Sequence, residues 1–254
     1  MTLQDIRSCI DSFAPFATQE KWDNSGLLVG DPRGQITGVL VSLDVSPAAV
    51  ARAAETGCNA IVAHHPIIFQ PIRTLTAESV PYQLAAKGIG AVCCHTPLDI
   101  APGGINDLLA DRLRTVLPCA EGSDLLEPDG CGRILTLTQE MYTADIAAAA
   151  KRVLGCTSVR FGGDTTHPVK RLGICSGAGS SMLEGCAGDC DCLLTGDVKH
   201  DRWYAAQSLR MGLIDCGHYH TEVIAVPYLA ERLRSAFPGL SVTEFVEGDP
   251  VQYV

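Results

Sequence analysis

Six of the seven histidines in this chain fall in four short segments: Ala63-His64-His65-Pro66, His95-Thr96-Pro97-Leu98-Asp99, Thr195-Gly196-Asp197-Val198-Lys199-His200, and Gly217-His218-Tyr219-His220-Thr221-Glu222. Imidazole nitrogen mixed with carboxylate oxygen is the donor set of Zn²⁺, Mn²⁺ or Fe²⁺. A carboxylate can hold two such ions at once, which neutral imidazole cannot, so Asp99 and Glu222 are the candidate bridges of a two-ion site. His218 and Glu222 are four residues apart across a strand-to-helix junction and can aim at one point. His64 and His65 diverge if extended, so each could serve a different ion, or only one of them binds. His95 and His200 are candidates for moving a proton, with Asp197 beside them as a catalytic, substrate-facing or supporting acid. Each residue also has a plainer reading: a hydrogen-bonded strand-end histidine, a turn cap for Asp99, a first-turn acid for Glu222. The four segments occurring together argue against all of them being plain. His167, before Pro168, takes the structural reading, and His220 alternates with His218 and faces the other way.

What must position these groups is a set of short apolar strands, because each histidine segment directly follows one. Val39–Leu43, Ala60–Ala63, Gly90–Cys94, Ile134–Thr138, Val159–Phe161, Leu172–Cys175, Cys192–Leu194 and Gly212–Asp215 read as strands. Helical spacing runs over residues 3–16, from Ser46-Pro47 to Ala54, around Tyr82–Ala85, over Asn106–Leu113 and over Thr143–Leu154. Strands alternating with helices predict α/β architecture, with mostly parallel sheets covered by helices on both faces. In a parallel sheet all carboxyl ends lie on one edge, where such sheets keep their ligands. The acidic, Gly- and Pro-rich stretch from Pro118 to Arg133 is the natural boundary. It predicts two similar α/β domains, 1–124 and 125–254.

At 254 residues, with 46% hydrophobic and 19% charged residues, the chain can bury a sizeable core. No apolar run approaches the roughly 20 residues that span a bilayer. The N-terminus is amphipathic and acid-bearing, unlike a secretory leader, so a cytoplasmic protein is expected. A formal charge of −10 argues against nucleic-acid binding but not against a small phosphorylated molecule or nucleotide, whose charge a metal can offset. The twelve cysteines are scattered among Ala, Val and Leu and read as small apolar core residues, not a disulfide framework. Cys186, Cys190 and Cys192 lack the paired spacing of a zinc knuckle and take the same reading. Gly177-Ala178-Gly179-Ser180-Ser181 is either a tight turn or an anion cradle without a P-loop lysine. Trp22-Asp23-Asn24-Ser25-Gly26-Leu27 could line a cleft or form a capped turn.

In that order, WDNSGLLVG, AHHPIIFQPI, HTPLDIAPGGINDLLA, TGDVKHD and GHYHTE make the chain resemble the NIF-three-like family, whose members are also called GTP cyclohydrolase I type 2 homologues or dinuclear-metal-centre hexameric proteins. The resemblance covers nearly the whole chain. It implies two divalent metal ions (Zn, Mn or Fe) at an interdomain cleft, held by His64, His65, Asp99, His218 and Glu222, with His95 close by. It also implies a ring-shaped homohexamer. Many members carry an extra mid-chain domain that has no room here, and His220 stands where a small residue is common. Two readings follow: a metal-dependent hydrolase, with GTP cyclohydrolysis or phosphoester cleavage as versions, and a non-catalytic metal-binding assembly or regulatory protein.

Overall fold

A computed structural model describes residues 1–126, 130–252 and 254 of the chain. Glu127-Pro128-Asp129, inside the acidic stretch read as a boundary, lie outside the described residues. The chain forms two compact units, one of Met1–Pro102 with Ala225–Gly248, the other of Gly103–Ile224 with Asp249–Val254. The division therefore falls at 102/103, earlier than the 124/125 expected from composition, and the first unit recovers a segment from near the C-terminus.

The first unit opens with α1 (Leu3–Phe13), whose N-terminus is closed by a reciprocal pair: Asp5 N–H donates to Thr2 Oγ1 and Thr2 N–H to the Asp5 carboxylate. Leu3, Ile6 and Ile10 form its buried stripe. Strand β1 (Gly26–Val29) and strand β2 (Gly38–Ser42) follow, then α2 (Pro47–Glu55), capped by Ser46 Oγ with proline in the first turn. Strand β3 (Ala60–Ala63), α3 (Val80–Lys87), β4 (Gly90–Cys93) and the short α4 (Thr96–Ile100) complete this stretch. The second unit holds α5 (Ile105–Arg114), β5 (Asp124–Leu126), β6 (Gly132–Met141), α6 (Thr143–Leu154), β7 (Arg160–Gly163) and β8 (Val169–Ile174). Then come β9 (Cys192–Thr195), α7 (His200–Ser208), β10 (Gly212–Asp215) and α8 (His218–Glu222). The chain returns to the first unit with α9 (Ala225–Ala236) and β11 (Ser241–Phe245).

The sheet of the first unit runs β1-β4-β3-β2-β11, parallel throughout except for β1. Every residue of β2, β3 and β4 is buried, which explains their unbroken apolar sequences. The sheet of the second unit runs β5-β6-β8-β9-β10-β7 and is mixed: β8, β9 and β10 are parallel, while β5, β6 and β7 join antiparallel. The expectation of mostly parallel sheets thus holds for the first sheet and only for the centre of the second. The boundary shift has a physical cause. Helix α5 packs on β6, β8 and α6, so it belongs with the second sheet, whereas β11 pairs in register with β2 and carries α9 back with it. None of the twelve cysteines is disulfide-bonded, and Cys58, Cys93, Cys94, Cys156, Cys175, Cys186, Cys190 and Cys192 are buried, as their neighbours predicted. Among the described residues no helix is long and apolar enough to cross a membrane.

Candidate metal centre

In the first unit the carboxyl ends of β2, β3 and β4 bring their trailing residues to one edge. The backbone amides of His64 and His65 both donate to Leu43 O, at 3.2 and 3.0 Å, so the turn after β3 is pinned to the end of β2. His64 is fully buried, and its Nδ1 lies 2.9 Å from Cys94 O. His65 Nδ1 is 2.8 Å from Asp44 Oδ1, and His95 Nδ1 is 2.9 Å from Asp23 Oδ1. A carbonyl or carboxylate can only accept, so in each neutral ring Nδ1 carries the proton and Nε2 the lone pair. The three rings lie 4.9–5.7 Å apart, centroid to centroid, and offer nitrogens within 4.8 Å of one another. Asp99, buried in α4, places Oδ1 3.8 Å from His64 Nε2.

Asp23 is held by several donors at once. Besides His95 it accepts from Thr96 Oγ1 at 2.6 Å, Ser25 Oγ at 2.8 Å and Asn24 N–H at 2.7 Å. Burial alone would raise its pKa, but hydrogen bonds from His95, Thr96 and Ser25 outweigh that and hold it well below the usual carboxylate range. The Trp22–Leu27 segment is thus a capped turn whose acid orients a site histidine. Asp23→Asn keeps the shape but replaces an acceptor-only carboxylate with an amide able to present a donor to Nδ1. Metal affinity of the variant, measured by competitive chelation, is expected to fall about 10–100-fold; an unchanged affinity would detach Asp23 from the centre.

In the second unit His218 opens α8 directly after Gly217, whose φ is +81°. His218 Nδ1 lies 2.8 Å from Asp197 Oδ2, and Nε2 lies 2.9 Å from Oε2 of the buried Glu222. Two ligand atoms bonded to one cation at about 2.1 Å and near 90° stand about 3 Å apart, so this pair has the spacing of neighbouring ligands. Asp197 has φ +51°, a left-handed conformation uncommon for a side-chain-bearing residue, at the place where its carboxylate meets His218. Asp215, buried at the end of β10, accepts from Val198 N–H at 3.1 Å and Gly217 N–H at 2.9 Å and pairs with Arg160. It ties together the two loops that carry Asp197 and His218.

Gly177, in the segment read as a turn or an anion cradle, closes this unit's site. Its φ is +59°, and a Cβ there would stand 2.1 Å from Glu222 Oε1 and 3.3 Å from His218 Nε2. The loop therefore keeps open the space beside Glu222 Oε1 and His218 Nε2.

The structure brings His64, His65, His95 and Asp99 together in one unit and Asp197, His218 and Glu222 together in the other. His200 stands apart, exposed at the start of α7, with its ring 5.4 Å from Tyr204. The buried His220 turns to Asp249, with Nε2 3.4 Å from Oδ2, consistent with its facing away from His218. Reading the sequence missed Asp23 and Asp44 as orienting acids. Asp44 was within reach of the same rule that found the histidines, since it follows β2 at the same sheet edge. Tested by donor chemistry, the residues fit a metal. Four imidazoles have Nδ1 secured from behind, and two buried carboxylates lie beside Nε2 atoms.

The sequence profile of the Duf34/NIF3 (NGG1p interacting factor 3) family matches residues 1–250. The chain is 30% identical over 235 residues to the "Protein NIF3 homolog" of Schizosaccharomyces pombe, covering 85% of this chain and 83% of that one. It is 28% identical to the "GTP cyclohydrolase 1 type 2 homolog" of Clostridium perfringens, with both chains fully covered. Among solved structures, a hypothetical protein of Staphylococcus aureus superposes with TM-score 0.86 at 28% identity, covering 100% of this chain and 99% of that one. The reduced form of HcgD from Methanocaldococcus jannaschii gives 0.83 at 26% identity, with 96% and 97% covered. Sequence and fold agree: the chain belongs to the Duf34/NIF3 family.

Proposed function

We propose that this protein is a dinuclear-metal-dependent hydrolase of a small phosphorylated molecule or nucleotide, with GTP cyclohydrolysis, releasing formate, as the specific version. The observation that carries the reading is the uniform backing of His64, His65 and His218, each with Nδ1 on an acceptor and Nε2 turned to the ligating role, with His95 backed in the same way by Asp23. In this reading His64, His65, Asp99, His218 and Glu222 hold two divalent ions, Zn, Mn or Fe. Such ions would lower the pKa of a water molecule toward neutrality and polarise the bond under attack. His95 is the proton carrier: Nε2 takes the proton, and the Asp23 carboxylate on Nδ1 stabilises the resulting imidazolium. Asp197 holds the His218 ring in its ligating tautomer. His200, exposed on α7, meets the substrate from the solvent side. Twelve cysteines outside any disulfide suit a reducing cytoplasm, and the assembly proposed with this reading is a toroidal homohexamer.

The test is turnover by protein reconstituted with Zn²⁺, Mn²⁺ or Fe²⁺. Formate release from GTP, or phosphate release from simple esters, is expected to depend on added metal and to fall at least about 100-fold in Glu222→Gln. Protein that holds two ions, turns over none of these substrates and loosens when they are removed would leave the metal structural and end the hydrolase reading.

A further inference from the structure

The edge of the first unit that carries the histidines also carries two large rings that the core has not taken. Trp22 is 55% exposed and Phe69 is 45% exposed, although both belong to segments with ordered partners. Trp22 lies 5.7 Å from the His95 ring and Phe69 lies 6.3 Å from it, each meeting it edge-on. Their loops are clipped together by Asn24, whose Nδ2 donates to Ile68 O at 2.6 Å. The rings are therefore held in place, not left on a free tether. Phe69 sits in the irregular segment of residues 64–79 between β3 and α3. Connections longer than about 12–15 residues without secondary structure are uncommon in compact domains and tend to be functional.

We propose that Trp22 and Phe69 form a stacking platform for a planar heteroaromatic ring of the substrate and that they favour substrates bearing such a ring over those without one. The two rings stand 5.7 Å apart and are tilted by 38°. A ring slotted between two faces needs about 7 Å, twice an aromatic contact distance of about 3.5 Å. The ligand therefore lies on the outward face of this pair and is not sandwiched within it. Contact of both side chains with His95 places such a ring beside the proton carrier. Stacking is tolerant of which base is presented, because every planar heterocycle has a π-face. Lys21 and Arg73, both exposed in the same two loops, offer charge to an anionic substituent. The placement of the reacting bond rests on the hydrolase reading above; the stacking itself does not.

The chain has two tryptophans, so Trp203→Phe leaves Trp22 as the only indole reporter. Guanosine monophosphate is expected to quench its fluorescence saturably, and ribose 5-phosphate to bind at least about 10-fold more weakly. By calorimetry, Trp22→Ala and Phe69→Ala are each expected to weaken guanosine monophosphate about 10-fold, with Trp22→Phe restoring most of the affinity and metal content unchanged in all three. Equal affinity for the two probes would overturn the proposal. So would a Trp22→Ala variant that binds guanosine monophosphate normally but changes its assembly mass, because the rings would then be an interface between chains. Ring binding without turnover of any substrate would sink the hydrolase reading and leave the platform standing. Turnover indifferent to both ring substitutions would do the reverse.

Discussion

Gly177→Ala is expected to lower metal affinity at least about 100-fold while leaving both sheets intact. Two separate effects act at this residue. The first is conformational: φ of +59° lies in the left-handed region, where an alanine costs about 1–2 kcal/mol. The second is steric and larger. The added methyl would occupy a point 2.1 Å from Glu222 Oε1, well inside contact distance, with His218 Nε2 only 3.3 Å away. The neighbour with room to move is the Glu222 side chain, since Gly177 itself is fixed: its N–H donates to Thr221 Oγ1 at 3.0 Å and its carbonyl accepts from Gly196 N–H at 2.7 Å. Relief therefore comes at the expense of the carboxylate proposed to bridge the ions. Metal titration of the variant, read beside its circular dichroism, separates the effects. Wild-type affinity with a normal spectrum would show that Glu222 is not a ligand. A lost spectrum would show that the loop supports the fold as much as the site.

The same residues show which parts of the molecule were legible in the sequence. The parallel strands were, because burial on both faces forces an unbroken apolar run, and each of β3, β4 and β10 ends where a histidine segment begins. Once strand ends were known, sheet geometry did the rest by putting His64, His65, His95 and Asp99 on one edge. The orienting acids were harder to see. Asp23 and His95 are 72 residues apart, and Asp44 and His65 are 21 apart, so nothing local announces the pairing. The unit boundary was misplaced for a similar reason. Pro118–Arg133 has the composition of a linker, but α5 belongs with the strands that follow because its apolar face packs on β6 and β8. Strand β11 was invisible because Ser241–Phe245 is half-exposed at a sheet edge and carries little apolar signal. It is identified only by its partner, β2.

Asp107→Ala is expected to destabilise the second unit by about 3–5 kcal/mol, because it breaks a pair whose cation is buried. Arg133 on β6 has a side chain only 3% exposed, and Asp107 on α5 meets it with both carboxylate oxygens, Nε–Oδ1 at 2.5 Å and Nη2–Oδ2 at 3.2 Å. This pair fastens α5, the helix that the sequence assigned to the other domain, onto its own sheet. The guanidinium also donates to Gly130 O at 3.1 Å and Gly132 O at 2.9 Å, so it cannot leave the interior without breaking backbone contacts. Removing the acid would take from this buried cation the carboxylate that meets both its Nε and its Nη2. Burial pushes the Asp107 carboxyl up, but the Arg133 hydrogen bonds and the Gly103 amide outweigh it and hold the pKa below the usual range. A carboxyl depressed in the folded state contributes stability in full above its unfolded value of about 3.9 and loses it as pH falls through the folded value. Acid unfolding of the wild-type protein should thus steepen below about pH 4, and Asp107→Asn should flatten that limb while lowering the plateau at neutral pH. The double variant Asp107→Leu/Arg133→Met, with both charges gone, should recover much of the loss. If it does not, the pair is specifying the position of α5 through geometry that apolar side chains cannot reproduce.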